Sequence, residues 1–353
     1  MGERTGSGAG VPVLPERFVA DARGIPGGAR WVRDWPGRLR ERLTAWELDL
    51  DLLPGRAPWA GHCAVVLPVR RRHHGGQPAV LKLTVPHDEA LTEPDALELW
   101  DGHGAVRLLA ASRGDFALLL ERLDGDRSLL DVPLDRTPAP WAEVFRELCI
   151  PAGTTAAWAG MPQLAAEAEQ WTDTLPERWQ HLGEPFPRWL LEAALDVCSG
   201  RGMVGRRWDR DVLVHSDLHY ANLLPVSPGA LGGFVAIDPK PVVGDAEYGL
   251  APLLWNRLDE LDAADPAGHL VAHAAALAAA AGLDQELAIG WTVVREVRNA
   301  LSYLRDGARG DAERSLWVAS SVLGRTLDGL PPAGELTGLS DASLHHRLRP
   351  RSA

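Results

Sequence analysis

Residues 213–245 constrain this chain more than any other stretch, because polar side chains follow two short apolar runs there. The run at 212–214 leads into the segment HSDLHYAN, and the run at 234–237 ends on Asp238. Short apolar runs bounded by turn residues predict two buried strands joined by a loop. We expect this arrangement to bring Asp217, Asn222 and Asp238 close together. Two carboxylates and a carboxamide form a hard-oxygen site suited to Mg²⁺.

The spacing of these side chains points to phosphoryl transfer. Asp217 and Asn222 are five positions apart, as in the catalytic loop of protein kinases, where the Asp is the base and the Asn holds a metal. The segments HSDLHYAN and AIDPKPVVGD resemble those of the aminoglycoside and hydroxyurea phosphotransferases, which are small-molecule kinases. Within that family the resemblance is greatest to the streptomycin 6-kinase type, and it runs from about Ala60 to Leu327.

The resemblance implies an α+β, protein-kinase-like fold with two lobes. A small antiparallel-sheet N-lobe and a larger, mainly helical C-lobe are expected to share a cleft. In this reading Asp217 is the catalytic base, Asn222 and Asp238 hold Mg²⁺, and His215 and His219 shape the loop. ATP and Mg²⁺ are the implied cofactors.

One departure from the protein-kinase pattern follows the second apolar run. Asp238 is followed by Pro239-Lys240, where protein kinases have Phe-Gly. This difference fits the small-molecule branch, which does not need a mobile activation segment.

Four segments are expected along the chain. Residues 1–28 are interpreted as a flexible N-terminus, 29–123 as the nucleotide-binding N-lobe, and 124–327 as the C-lobe with the catalytic loop and acceptor pocket. Residues 328–353 are interpreted as a flexible tail, since they carry the pair Pro331-Pro332 and end on a basic run.

A second candidate site lies in the N-lobe, where the runs at 63–69 and 79–83 predict two strands. Lys82 lies inside the second run, where an unpaired ammonium group would be costly. Kinases place a Lys on such a strand to bind the α- and β-phosphates, paired with a Glu on the following helix. Glu93 is the preferred partner and Glu98 the second choice. The alternative is a surface lysine that extends outward from the strand.

The hinge between the lobes is expected just after the apolar run at 116–120. The sequence Glu121-Arg122-Leu123 leaves the predicted sheet there. In the family, backbone groups of residues such as Glu121 and Leu123 bind adenine. The pattern alone is also that of an ordinary strand end.

The acceptor pocket is expected in the second lobe, facing Asp217, where the segment after Asp245 predicts a helix through Trp255 and Leu261. The candidate acceptor contacts are polar residues on or near the helices that follow Asp238, foremost Asp245, Glu247 and Glu296, and in addition Asp259, Glu260 and Asn299. Asp245 has a structural alternative, because it could tie down the catalytic loop instead of touching the acceptor.

Charge and cysteine usage limit the partners and the compartment. The 353 residues carry a formal net charge of −12, which argues against nucleic acid and anionic membranes and is compatible with a cationic small-molecule acceptor. Three cysteines without a Cys-x-x-Cys pair indicate reduced thiols in a cytoplasmic protein. The N-terminus lacks the apolar core of a signal peptide, and a monomer or homodimer is expected.

The sequence therefore predicts an ATP-dependent O-phosphotransferase whose acceptor is a small polar molecule, foremost an aminoglycoside of the streptomycin type. Hydroxyurea or another small metabolite is an alternative acceptor. A catalytically silent, kinase-like nucleotide-binding module is an alternative from another class. A metal hydrolase that uses the Asp and His residues is the remaining alternative, but a second convincing set of ligating histidines is not found.

Overall fold

The computed structural model describes residues 10–53, 55–203, 210–226 and 233–336. The chain divides into two compact units, one from residues 1–102 and 106–122, the other from 103–105 and 123–353. In the described ranges, no helix is both long enough and apolar enough to cross a membrane.

The first unit is built on an antiparallel sheet. Its strands are β1 (Leu48–Leu50), β2 (Trp59–Ala60), β3 (Ala64–Arg71), β4 (Gln77–Thr84), β5 (Leu108–Ser112) and β6 (Ala117–Glu121). The strand order is β1-β3-β4-β6-β5, and β2 pairs with β3. Strands β3 and β4 form a hairpin that turns at Gly75 and Gly76, whose φ angles of 64° and 74° favour glycine. The predicted strands at 63–69 and 79–83 are confirmed.

Helices α1 (Glu16–Gly24) and α2 (Gly28–Ala45) belong to the first unit, together with α3 (Glu93–Trp100). Phe18 on α1 is buried and makes an edge-to-face contact with Trp31 on α2, with ring centroids 5.6 Å apart. The expectation that residues 1–28 are flexible is therefore wrong for the part that forms α1. Phe18 and Ala22 lie one helical turn apart. In the sequence this short apolar pattern is difficult to recognise, because the surrounding residues are rich in Gly, Pro and Arg.

The second unit is mainly helical. Its helices are α4 (Pro138–Leu148), α5 (Ala156–Ala159), α6 (Leu164–His181), α7 (Arg188–Arg201), α8 (Ala251–Leu254), α9 (Pro266–Ala281), α10 (Gln285–Arg305) and α11 (Arg309–Ser321). Helix α10 buries Trp291, Val294 and Val297, whose spacing places them on the inner side of the helix. This unit therefore has a core of its own, with α10 as a central element.

Two small antiparallel sheets in this unit hold the stretch singled out above. Strands β7 (Val212–His215), β8 (Leu223–Pro225), β9 (Phe234–Ala236) and β10 (Pro241–Gly244) pair as β7 with β10 and β8 with β9. The two predicted strands are confirmed. Residues 216–222, the first loop, and residues 237–240, the second loop, connect these sheets.

Two further expectations need correction at the C-terminal side. A single helix through residue 261 is not formed, because α8 ends at Leu254 and Arg257 adopts a left-handed backbone with φ 60°. Of the tail predicted to be flexible, residues 328–336 are described, and Ala333 and Leu336 are buried. Arg314 donates a hydrogen bond to the Leu336 carbonyl at 3.1 Å. The rest of the predicted tail lies outside the described residues.

Candidate active site

Hydrogen bonds between main-chain groups fix the two loops against each other. The N–H and hydroxyl groups of Ser216 both donate to the Lys240 carbonyl, at 3.1 and 2.7 Å. The Ile237 N–H donates to the Asn222 carbonyl at 2.9 Å. Each end of the first loop is thus tied to the second loop. The expected juxtaposition of the segments that carry the two aspartates and the asparagine is confirmed.

The Asp217 carboxylate lies between two cations. Its Oδ1 is 3.3 Å from Arg295 Nη2 and its Oδ2 is 3.4 Å from Lys240 Nζ, while the side chain is 19% exposed. Burial alone would raise the pKa of Asp217, but the positive charges of Lys240, His219 and Arg295 outweigh it and hold the pKa well below its usual range. Asp217 is therefore ionised at neutral pH and can accept a hydrogen bond from a hydroxyl group.

The two histidines of the first loop hold main-chain groups. His215 Nδ1 accepts a hydrogen bond from the Asp217 N–H at 3.3 Å, and its Nε2 donates to the Ile237 carbonyl at 3.0 Å. This pattern assigns a neutral ring with its proton on Nε2, in agreement with burial, which lowers the pKa of His215. His219 Nδ1 accepts from the Ala221 N–H at 3.3 Å. These contacts support the expected shaping role of both rings.

The hydrogen bonding and backbone of the two candidate metal ligands show whether their side-chain oxygens suit a metal ion. The Asn222 carboxamide nitrogen donates to the Asp217 carbonyl at 2.9 Å, so its Oδ1 is the atom suited to a cation. Asp238 has a left-handed backbone with φ 57°, a conformation that Asp tolerates better than most residues. One carboxylate and one carboxamide oxygen on adjoining loops fit Mg²⁺, which takes few protein ligands and completes its shell with phosphates and water.

The lysine predicted for nucleotide binding is buried and paired. Lys82 Nζ lies 2.6 Å from Glu93 Oε1, and the two side chains are only 6% and 5% exposed. Glu98, the second choice, instead lies 3.0 Å from Arg113 at an exposed position. The predicted pairing of Lys82 with Glu93 is confirmed, whereas the binding of phosphates by this pair stays a prediction.

The predicted adenine contacts lie at the end of β6. The Glu121 N–H donates to the Arg107 carbonyl at 3.0 Å, and Glu121 Oε1 accepts from the Arg107 N–H at 2.7 Å. Arg122 follows the strand, and Leu123 comes next, where the second unit resumes. The side chain of Glu121 thus serves the sheet, and the role of both residues in adenine binding stays a prediction.

Two of the predicted acceptor contacts stabilise the fold around α10. Asp245 Oδ2 accepts a hydrogen bond from Trp291 Nε1 at 3.0 Å and forms an ion pair with Arg201 at 3.0 Å. Glu247 Oε1 accepts from the Asp284 N–H at 3.2 Å, at the start of α10. Asp245 therefore joins the end of β10 to α7 and α10, which is the structural alternative considered for it.

Glu296 lies in the interior between α10 and α11, and its expected role as an acceptor contact is wrong. The residue is completely buried, and its carboxyl group accepts from Asn299 Nδ2 and bonds with Ser315. Burial raises the pKa of Glu296 to about 7. A side chain without exposed surface cannot reach a ligand that arrives from solvent.

Neither of the two cations beside Asp217 was predicted from the sequence as part of the site. Arg295 also donates to the Ser216 carbonyl, and it lies four residues after Trp291 and three before Arg298, on the buried side of α10. A charged residue on the apolar face of a predicted helix is a signal that could have identified it. Lys240 was noted only as a departure from the Phe-Gly pattern.

Comparisons with known proteins agree with this geometry. The model of the aminoglycoside/hydroxyurea antibiotic resistance kinase family matches residues 51–156 and 192–307. The chain is 35% identical to a hydroxyurea phosphotransferase of Kitasatospora aureofaciens, over 90% of this chain and 88% of that protein. It is 32% identical to a streptomycin 6-kinase of Streptomyces glaucescens, over 88% of this chain and 97% of that protein.

A solved structure supports the fold. A thermostable aminoglycoside phosphotransferase APH(4)-Ia, in ternary complex with AMP-PNP and hygromycin B, superposes with a TM-score of 0.53 at 17% identity. The alignment covers 81% of this chain and 98% of that chain. The α+β, protein-kinase-like fold class is confirmed. The chain belongs to the family of aminoglycoside and hydroxyurea antibiotic resistance kinases.

Proposed function

We propose that this chain transfers the γ-phosphate of ATP to a hydroxyl group of an aminoglycoside of the streptomycin type. The observation that carries the proposal is the ionised Asp217 carboxylate, held by two cations on a loop that is bonded to the segment bearing Asp238. Membership in a kinase family and 32% identity to a streptomycin 6-kinase support it.

Asp217 orients the acceptor hydroxyl and takes its proton. The hydroxyl oxygen forms a bond to the γ-phosphorus while the bond from that phosphorus to the bridging oxygen of ADP breaks, and the proton passes to Asp217 and then to solvent. Because the transition state of such transfers is loose, positioning and charge stabilisation contribute more than strong basicity. The lowered pKa of Asp217 therefore suits a group that orients the hydroxyl.

In the proposal, Lys82 of the first unit binds the nucleotide. Its metal is bound by two residues of the second unit, Asn222 and Asp238. Lys82 is fixed by Glu93 at 2.6 Å and would neutralise the α- and β-phosphates. The oxygens of Asn222 and Asp238 would hold Mg²⁺, which neutralises the charge of the phosphates when bound. Main-chain groups of Glu121 and Leu123 are proposed to bind adenine. A cytoplasmic location is part of the proposal, because the reaction would consume ATP; the three cysteines, none of which forms a disulfide, are compatible with it.

The distribution of charge favours a cationic acceptor. The first unit contains sixteen Lys and Arg residues against sixteen Asp and Glu residues, so the whole formal charge of −12 lies in the second unit. The second unit also holds Asp217, the residue that would receive the hydroxyl. A net negative charge on the unit that carries Asp217 would raise the local concentration and the association rate of a polycation. An aminoglycoside is such a polycation, whereas hydroxyurea is neutral.

Hydroxyurea is the second candidate acceptor. It is favoured by one observation, the 35% identity to a hydroxyurea phosphotransferase over 90% of this chain. In that reading the negative charge of the second unit serves solubility rather than recognition.

The test is ATP consumption by the purified full chain with streptomycin, hydroxyurea and a panel of other hydroxyl compounds. Asp217→Asn is the inactive variant, and Asp173→Asn, at an exposed aspartate of the same unit, is the matched control. Streptomycin should stimulate turnover in the wild type and in Asp173→Asn but not in Asp217→Asn. Stimulation by hydroxyurea alone would make hydroxyurea the acceptor in place of streptomycin. Nucleotide binding without turnover for any acceptor would identify a silent nucleotide-binding module.

A further inference from the structure

The composition of this chain singles out one side chain to which the proposed function gives no role beyond its ion pair with Asp217. Of its thirty-six basic residues, thirty-four are Arg and only two are Lys, namely Lys82 and Lys240. A chain with such a preference for Arg keeps Lys where an ammonium group performs better than a guanidinium group. Lys82 has a role in nucleotide binding that depends on a compact point charge. The same question then arises for Lys240.

The side chain of Lys240 points at the candidate catalytic carboxylate. Its Nζ lies 3.4 Å from Asp217 Oδ2, and 46% of the side chain is exposed. Arg295, on the other side of the carboxylate, is only 16% exposed. The two cations therefore differ in environment, since Arg295 is mostly buried whereas nearly half of the Lys240 side chain is exposed to solvent.

The main chain of Lys240 contributes to the fold of the loops. Its carbonyl accepts both hydrogen bonds from Ser216, and any residue other than proline or glycine could present that carbonyl in the same way. Its side chain is one of two cations at Asp217, since Arg295 supplies the other at 3.3 Å. The hydrogen bonds from Ser216 and a positive charge beside Asp217 do not by themselves require lysine instead of arginine here.

An ammonium group beside Asp217 suits a reaction in which negative charge shifts among the phosphoryl oxygens during transfer. Arg presents a planar fork that binds one carboxylate in a fixed geometry, whereas Lys is a compact charge on a flexible stem. From its position at Asp217, a lysine can turn its ammonium group toward a phosphoryl group that approaches the same carboxylate. Stabilising the equatorial oxygens of a transferring phosphoryl group is the largest task in such a site.

We propose that Lys240 is a catalytic residue that contacts the phosphoryl group during its transfer. This inference rests on the proposed function, because it assumes that the site binds ATP. Lys240 forms no covalent bond. It stabilises the negative oxygens of the phosphoryl group while the bond to ADP breaks and the bond to the acceptor oxygen forms, with the hydroxyl proton taken by Asp217.

Kinetics of three variants separate this role from a structural one. Lys240→Met should lower kcat by about 10²- to 10³-fold, as removal of a charge-stabilising donor does elsewhere, with KM for ATP and acceptor changed less than about threefold. Lys240→Arg should also lose at least about tenfold in kcat. Arg305→Met removes an exposed cation near the end of α10 and should retain wild-type kcat. Wild-type kcat in Lys240→Met or in Lys240→Arg would overturn the proposal.

A chemical label gives a readout that does not depend on turnover. An ATP analogue with an acyl group on its γ-phosphate transfers that group to a nearby amine, so that an amide forms, ATP leaves and the amine loses a proton to solvent. Because the chain has two lysines, mass spectrometry of the peptides assigns the label directly. We expect acylation of Lys240 that ATP suppresses and that Lys240→Arg abolishes. Label on Lys82 or the amino terminus alone would refute the contact.

The two experiments also separate failure of this inference from failure of the proposed function. Active wild type with an unlabelled Lys240 and an active Lys240→Met variant would leave the proposed function standing without this residue. ATP-suppressed labelling of Lys240 in a protein that no acceptor stimulates would keep the contact and remove the acceptor assignment. Failure to bind ATP at all would overturn both.

Discussion

Removing the carboxylate of Glu93 should destabilise the first unit by about 3–5 kcal/mol, because the buried Lys82 ammonium group loses an ion-pair partner at 2.6 Å. The two groups are 2.6 Å apart and both side chains are more than nine-tenths buried, so water cannot replace the lost contact. The attraction of the pair only offsets the cost of desolvating both ions. Deleting the Glu93 carboxylate therefore removes the attraction that Glu93 supplies, while the cost of desolvating the Lys82 ammonium group remains.

Glu98→Ala is the matched control, because Glu98 lies on the same helix, is also an ion-pair partner and is half exposed. Its pair with Arg113 should contribute only about 0.2–1 kcal/mol. The measurement is urea unfolding followed by tryptophan fluorescence, with Trp100 on α3 as a buried reporter. Midpoint shifts should be compared at equal slope, so that a change in compactness is not read as a change in stability.

A double variant tests the cause. Lys82→Met with Glu93→Leu replaces both ions by apolar groups of similar size, and it should recover the wild-type free energy of unfolding or exceed it by about 1–4 kcal/mol. The same variant should fail to bind ATP. If Glu93→Ala costs no more than Glu98→Ala, or if the double variant stays as unstable as Glu93→Ala, the reasoning about a buried uncompensated charge is refuted.

Three further predictions concern the second unit. Arg295→Met should raise the pKa of Asp217 toward its ordinary value, since Arg295 contributes to its lowering; because the ionised carboxylate is the active form, the acid limb of kcat/KM should lie at higher pH in the variant than in the wild type. Glu296 has its pKa raised to about 7, so folding stability should fall as pH rises from about 4.5 to 7 and then level off; Glu296→Gln should remove this slope in urea unfolding at pH 5 and pH 8. Gly244→Ala should lose about 1–3 kcal/mol, because the new methyl carbon would lie 2.5 Å from a leucine of α6, whereas Gly114→Ala, with open space, should be near neutral in thermal unfolding.

The sequence predicted best those features that depend on neighbours along the chain. The strands around Lys82, together with β7 and β9, which lead into the first and second loops, follow from short apolar runs bounded by turn residues. The choice of Glu93 over Glu98 followed from the position of a helix start, and the pair is present at 2.6 Å. In each case the residues that decide the outcome lie within about a dozen positions of one another.

Features that depend on distant residues were not predicted. Arg295 reaches Asp217 across 78 positions, and no local pattern encodes that contact. Glu296 follows it directly, yet the structure places its carboxyl group in the interior, because the rotation of α10 is set by the burial of residues such as Trp291. The left-handed Arg257 that ends the expected helix is likewise paired with Glu260 and bonded to the Val132 carbonyl.

The segment that follows Asp238 explains why this chain works without the Phe-Gly pattern of protein kinases. Directly after the second loop, β10 pairs with β7, with Pro241 opposite His215 and Gly244 opposite Val212. Asp245 then binds Trp291 on α10. Residues 241–244 are therefore paired with the strand that leads into the first loop, and Asp245 is bound to α10. A segment fixed at each of these positions by the sheet and by α10 fits the expectation that the small-molecule branch does not need a mobile activation segment.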